Sequence, residues 1–263
     1  MTVGKSEITP YKQACLRELV KDHVHKYIKI FVKHDWIKSP YWLIDLTAGD
    51  MDLAEETSPR IFLDIVRSYE ILGNGIPINI HFFEQDSHTF HKLRINVDTW
   101  LERLSYKERK RIKPNIHLHN TNFINIANWV EMEHKWNYGF LYFDPNGIGG
   151  RRELEYLARF SRKWNAIDIL MNISLTILKR CYKSGHPNHR YFNKDLQGLI
   201  KSFDKRYWWL RPPPEELNRK FMWIMLFGTN MQNYFIKRIE DFYGFNTFLG
   251  IQLLEFYNNF IQQ

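Results

Sequence analysis

Pro40-Tyr41-Trp42-Leu43-Ile44-Asp45-Leu46-Thr47-Ala48-Gly49-Asp50 is the stretch on which the fold turns. Tyr41 to Asp45 form a short apolar run with no polar alternation, the pattern of a strand buried on both faces in a parallel sheet covered by helices. The chain then leaves at Asp45 through small residues. Ala48 and Gly49 let the backbone approach a ligand that a Cβ would hold off. A carboxylate at such a turn suits an amine-bearing or positively charged cofactor. A phosphate site would call for bare N–H groups or a lysine, and no GxxxxGK follows the strand.

The same alternation extends in both directions. Upstream, Leu16, Leu19/Val20, Val24, Tyr27/Ile28 and Phe31 fall at three-and-four spacing and predict an amphipathic helix over 11–36. Downstream, Ser58-Pro59 opens a helix with Ile61/Phe62, Ile65/Val66, Tyr69 and Leu72 on one face, closed by Gly73-Asn74-Gly75. Pro77 to Glu84 reads as a second strand, and Ser87 is placed to cap the helix that carries Phe90, Leu93, Val97, Leu101 and Leu104. Asn115–Asn120, Gly139–Asp144 and Ala166–Asn172 read as third, fourth and fifth strands, and Phe221–Phe227 as a further one. A helix over Tyr234–Phe242 and an edge strand over Gly250–Phe256 complete the expectation. Strand, helix and strand with short turns predict an α/β, Rossmann-like fold with a mostly parallel sheet and helices on both faces.

Length and composition agree. The chain has 263 residues, 44% of them hydrophobic and 25% charged, enough for one large domain with a core. The expected organisation is a single domain with an N-terminal helical extension (about 1–38) and a basic, aromatic insertion (about 182–214). No apolar run approaches the roughly 18 residues of a membrane span. The first ten residues hold no signal-peptide core, so the expected location is the cytoplasm. Cys15 and Cys181 lack CxxC spacing and read as packing residues. A net charge of +8 favours a polyanionic partner.

Ligands of open parallel sheets sit beyond the carboxyl ends of the strands. Polar residues gather there: Asp45, Glu84, Asn120, Asp144 and Asn172 each end a predicted strand. An acid closing the second strand is where nucleotide-binding sheets hold a ribose diol. The series Asp45–Asp50, Glu84–Asp86 and Asp144-Pro145-Asn146-Gly147 resembles the class I S-adenosylmethionine (SAM) dependent methyltransferases, and more narrowly the three-Cys-motif partner family. That family pairs a basic N-terminal helix (here Lys21 to His34) with an Asp-x-x-Ala-Gly turn, an Asp-Pro-Phe-Gly motif and a following Asn-rich strand (here Ile167 to Asn172). The resemblance covers roughly residues 15 to 180. It departs at Asp50, where a glycine is usual, and at Asn146, where an aromatic residue or proline is usual.

The resemblance implies SAM as cofactor. Asp45, Thr47, Ala48, Gly49 and Asp50 would face its methionine part, Glu84 and Gln85 the ribose, and Asn120, Asn122 and Phe123 the adenine. It also implies that Asp144, Pro145, Asn146 and Gly147 form the catalytic turn. There, a carboxylate and a backbone carbonyl accept hydrogen bonds from an exocyclic amine and orient it for methyl transfer.

Residues 180–211 hold eight cationic side chains against Asp195 and Asp204, interleaved with aromatic rings. Among these, Arg180, Lys183, Arg190, Tyr191, Arg206, Tyr207, Trp208 and Trp209 are the candidate substrate surface, with cations for phosphates and rings for stacking bases. Lys107 to Arg111 reads as a solvated helix face that can also touch phosphates. The pairs His186/His189 and His117/His119 lack the cysteines or acids of a metal site, and no metal is expected. No hydrolase motif is present. The sequence therefore favours a SAM-dependent methyltransferase acting on nucleic acid, foremost on an adenine amine of DNA. The alternatives are an RNA methyltransferase and a noncatalytic SAM-fold protein that binds nucleic acid or another partner.

Overall fold

Strand β1 (Tyr41–Asp45) is buried along its whole length, as its unbroken apolar run requires. The computed structural model describes residues 9–34, 39–68, 78–125, 138–145, 151–183, 196–214, 223–231 and 241–262. Backbone contacts group the chain into two compact units, Met1–Tyr142 and Phe143–Gln263.

In the first unit β1 lies between β2 (Ile78–Glu84) and β4 (Gly139–Phe143), and β3 (Ile116–Asn120) pairs with the outer side of β2. Every one of these pairings is parallel. Helix α1 (Thr9–Lys33) buries Cys15, Leu16, Leu19, Val20, Val24 and Tyr27, the stripe expected from the sequence. His23 Nδ1 and the Tyr41 hydroxyl, 2.5 Å apart, tie that helix to β1. Helix α2 (Ser58–Ser68) buries Ile61, Phe62, Leu63, Ile65 and Val66. Helix α3 (Ser87–Glu102) is capped by Asp86 rather than Ser87: the Asp86 carboxylate accepts the Thr89 N–H at 2.8 Å. Helix α4 (Tyr106–Ile112) carries a full capping box between Ser105 and Glu108.

In the second unit, α5 (Arg151–Lys163) precedes β5 (Ile167–Ser174), which leads into α6 (Leu175–Lys183) and then α7 (Leu196–Lys201). Strands β5 and β6 (Tyr207–Arg211) both pair antiparallel with β7 (Trp223–Thr229), which lies between them. β5 and β6 therefore run the same way. The short β8 (Tyr243–Gly244) closes the outer side of β6, and α8 (Phe248–Gln262) packs on α6, α7 and β8. The α/β class and the predominance of parallel strands hold.

Two segments differ from expectation. Gly250–Phe256 is helix, not strand: Leu254, Tyr257 and Ile261 are buried at three-and-four spacing, and the Thr247 hydroxyl accepts the Gly250 N–H at 3.1 Å. The stretch read as an insertion from 182 to 214 contains α7 and the sheet strand β6. The helix expected at Tyr234–Phe242 lies mainly outside the described residues. No described helix is long and apolar enough to cross a membrane.

Candidate active site

At the carboxyl end of β1 the turn is woven into both neighbouring strands. Leu46 N–H donates to Tyr142 O at 3.1 Å and Ala48 N–H to Phe83 O at 3.0 Å. Asp45 has no exposed surface, and its Oδ1 accepts the Thr47 N–H at 3.0 Å. Its carboxylate thus shapes the turn. The expectation that Asp45 faces a ligand is corrected, because a side chain with zero accessible area presents nothing to one.

Glu84 supplies the carboxylate that does reach the surface. Its Oε2 accepts the Gly49 N–H at 3.1 Å, and its Oε1 accepts the Asp86 N–H at 2.8 Å. The tips of β1 and β2 are joined through this one side chain, and each oxygen keeps a second acceptor direction. Gly49 has φ of 68°, and no atom lies within 4 Å of where a Cβ would stand. The left-handed Gly49 therefore faces open space. Asp50 is not left-handed; the positive φ falls on Met51, at 52°, whose side chain is fully buried. Asp50 therefore carries no left-handed backbone strain. The Asp50 carbonyl is held by Asn96 Nδ2 of α3 at 2.9 Å, a link that no local pattern announces.

The tip of β3 adds amides. Asn120 Nδ2 donates to the Glu84 carbonyl at 3.1 Å, and its Oδ1 accepts from Ser87. Asn122 Nδ2 donates to Gln85 Oε1 at 3.1 Å. Phe123 is buried in the following 3-10 turn. Thr47, Gly49, Glu84, Gln85, Asn120 and Asn122 thus sit along one row of strand tips in the first unit.

In the second unit the structure brings Asp144 and Asn172 together. Asn172 Nδ2 donates to Asp144 Oδ1 at 2.6 Å. Asn172 is 8% exposed, and its own Oδ1 has no hydrogen-bond partner among the described residues. A buried acceptor without a donor is costly unless something supplies one. Asp144 and Pro145 are half-buried, and Asn146 and Gly147 lie outside the described residues.

The expected substrate surface divides. Arg180, Lys183 and Arg206 are exposed, Tyr207 is half-buried, and Arg190 and Tyr191 lie outside the described residues. Trp208 and Trp209 are core residues of β6, 8% and 7% exposed, which corrects their assignment as base-stacking rings. The Trp208 ring covers Gly228 of β7, where a Cβ would come within 2.7 Å of it, and its Nε1 donates to Lys205 O. Lys205 is likewise withdrawn from the surface. Its amine donates to the Trp164 and Asn165 carbonyls at 3.2 Å each, and burial pulls its pKa down to about 8.

Sequence reasoning missed the histidine stack on β2 and β3. His81 lies 4.5 Å from His117 and 5.2 Å from His119, ring centroid to centroid, and its Nδ1 is 3.0 Å from His119 Nε2. Burial and the two neighbouring rings hold the His81 pKa down to about 2, and burial takes His119 to about 4. Stacked rings do not converge on a point. Among the described residues no group of three or more His, Cys, Asp or Glu is arranged for a metal ion.

No protein-family model and no curated protein sequence matches the chain. Solved structures do resemble it. The Legionella pneumophila protein LPL1258 aligns with a TM-score of 0.47 at 10% identity, over 94% of this chain and 93% of its own. The SAH-bound Podospora anserina methyltransferase PaMTH1 aligns with a TM-score of 0.45 at 9% identity, over 83% and 77%. A fibrillarin/Nop5p complex aligns with a TM-score of 0.43 at 13% identity, over 74% and 75%. The fold class of the present chain rests on its own strand directions, set out above.

Proposed function

We propose that the chain is a SAM-dependent methyltransferase that modifies an exocyclic amine of nucleic acid, foremost N6 of adenine in DNA. One observation carries the reading: the Glu84 carboxylate, oriented by the Gly49 and Asp86 N–H groups, beside a left-handed Gly49 that faces open space. The residues present suit the cofactor. A carboxylate with spare acceptor directions fits a ribose diol, and a glycine with nothing in front of it fits a close backbone approach. Gly49, Glu84, Gln85 and Asn122 are the residues that would hold it. When bound it supplies an electrophilic methyl group.

The chain's own contribution to the chemistry is orientation. Asn172 holds one oxygen of Asp144 through its N–H, which fixes the plane of the carboxylate. The Asp144 carboxylate and the Pro145 carbonyl are suited to an amine's two protons, and holding that amine in line is worth several powers of ten in rate. The net charge of +8 supports a polyanionic substrate.

The test is transfer of labelled methyl from SAM to separate pools of duplex DNA, single-stranded DNA and RNA, with Asp144→Ala alongside. Label in DNA adenine that disappears in the variant is the expected result. Label in RNA alone would replace the substrate and keep the chemistry. Neither SAM binding nor transfer to any pool would overturn the proposal.

A further inference from the structure

Helix α4 is a short basic element whose single acid is already engaged. Glu108 is bound by Ser105 through its N–H and hydroxyl, at 2.8 and 2.6 Å, and by Arg67 Nε at 3.0 Å. Those hydrogen bonds hold its pKa down to about 2. Arg109 turns inward, donating to the Glu102 carbonyl at 3.0 Å. Arg103, Lys107, Lys110, Arg111 and Lys113 are all exposed, and none of the five makes an ion pair among the described residues. Tyr106, 81% exposed, stands beside them.

We infer that this face of α4 is a docking patch for nucleic-acid phosphates, separate from the site of methyl transfer. The inference rests on the proposed nucleic-acid substrate and adds where that substrate is gripped. Lys107, Lys110 and Arg111 are at i, i+3 and i+4, so they share one face of the helix, with Arg103 and Lys113 flanking it. Five exposed cations that no carboxylate pairs among the described residues match a phosphate backbone. An anionic membrane is the poorer match. A helix that lies on lipid inserts an apolar face, whereas the one buried apolar residue of α4, Ile112, is spent on the core. The patch also stands at the start of β3, while Glu84 and Asn120 stand at the opposite ends of their strands. It therefore supplies grip without touching the chemistry.

The experiment compares the full chain with Lys107→Ala/Lys110→Ala/Arg111→Ala/Lys113→Ala. A control, Lys21→Ala/Lys29→Ala/Lys33→Ala/Lys92→Ala, removes the same charge from exposed positions on α1 and α3. Binding of a labelled DNA duplex, without cofactor, is followed from 50 to 200 mM salt, with an RNA duplex and vesicles rich in phosphatidylserine as further probes.

Each phosphate contact contributes about 0.9 to the slope of log K against log salt, so the α4 variant should lose about 3 to 4 from that slope and bind about tenfold or more weakly at 100 mM. The control should change much less, and both variants should melt with the wild type. Equal losses in the two variants, an unchanged slope, or an effect confined to vesicles would each overturn the patch. Methyl transfer measured in parallel separates the two readings. A changed slope in a chain that transfers no methyl keeps the patch and removes the enzyme; normal transfer with an unchanged slope does the reverse.

Discussion

Replacing Glu84 with glutamine keeps the shape of the side chain and removes its charge. The structure sets the size of the effect. Two backbone N–H groups point at the carboxylate, from Gly49 at 3.1 Å and Asp86 at 2.8 Å. In glutamine one terminal atom becomes a donor and must face one of them. A hydrogen bond to a charged group is worth about 1.5–3 kcal/mol, so the free protein should lose about that much stability or rather less, since the site is half-exposed. The proposed diol acceptor is lost as well. Taking another 1.5–3 kcal/mol for that contact and about 1.4 kcal/mol per tenfold, cofactor affinity should fall about 10- to 150-fold. Gly49→Ala is the companion variant. Its Cβ meets no protein atom within 4 Å, so its stability cost is the left-handed φ of 68° alone, about 1–2 kcal/mol. The methyl then stands where the cofactor is expected. Calorimetric titration with SAM and with its demethylated product, together with urea melts, reads both effects. If Glu84→Gln binds cofactor within twofold of wild type, the strand-tip carboxylate is not the ribose acceptor and the site assignment falls.

Three further outcomes follow from described contacts. Asn172→Asp places a second carboxylate where an amide now sits 2.6 Å from Asp144, so one of the pair should hold its proton to higher pH and the acid limb of the transfer-rate profile should move up by about one unit or more; an unmoved profile means that Asn172 does not orient Asp144. Gly228→Ala forces a Cβ to within 2.7–2.9 Å of the Trp208 ring, which has no flexible end to yield, and should cost about 1–3 kcal/mol in a urea melt; a neutral result would contradict the core position of Trp208. His81 is held near pKa 2 against 6.5 for a free histidine, so the unfolded chain takes up a proton that the folded chain refuses. That stability is present above pH 6.5 and is lost as pH falls, at up to about 1.4 kcal/mol per unit. The stability gap between wild type and His81→Phe should therefore shift in the variant's favour from pH 7 to pH 4, and parallel curves would remove the histidine stack as the cause.

The parts of the fold legible in the sequence were those in which one local pattern decides the outcome. Tyr41–Asp45 has no polar residue before its tip, and β1 is buried throughout; Leu16 to Tyr27 repeat at helical spacing, and α1 buries that stripe. Segments decided by distant partners were not legible. Tyr207-Trp208-Trp209 sits among cations and looks like a surface for bases until Gly228, on a strand more than a dozen residues away, provides the flat space that Trp208 fills. Gly250–Phe256 is almost free of charge and fits either period; the Thr247 cap and the neighbours of α8 choose the helix. At the candidate site, Glu84 and Asn120 could be placed because strand tips are predictable from strand ends. The burial of Asp45 and the Asn96 contact to Asp50 could not, since both depend on how the helices close over the turn.

The position of α4 relative to the strand tips acts as a ruler. β3 spans Ile116–Asn120, and at about 3.3 Å per residue its two ends stand roughly 15 Å apart. A duplex rises about 3.4 Å per base pair, so the length of β3 matches about four to five base pairs. On the proposed reading, oligonucleotides shorter than that occupy one end or the other but not both. If nucleic acid is gripped at α4 and modified at the strand tips, as proposed, substrate length rather than sequence sets a threshold on turnover, and the length of a single strand fixes it.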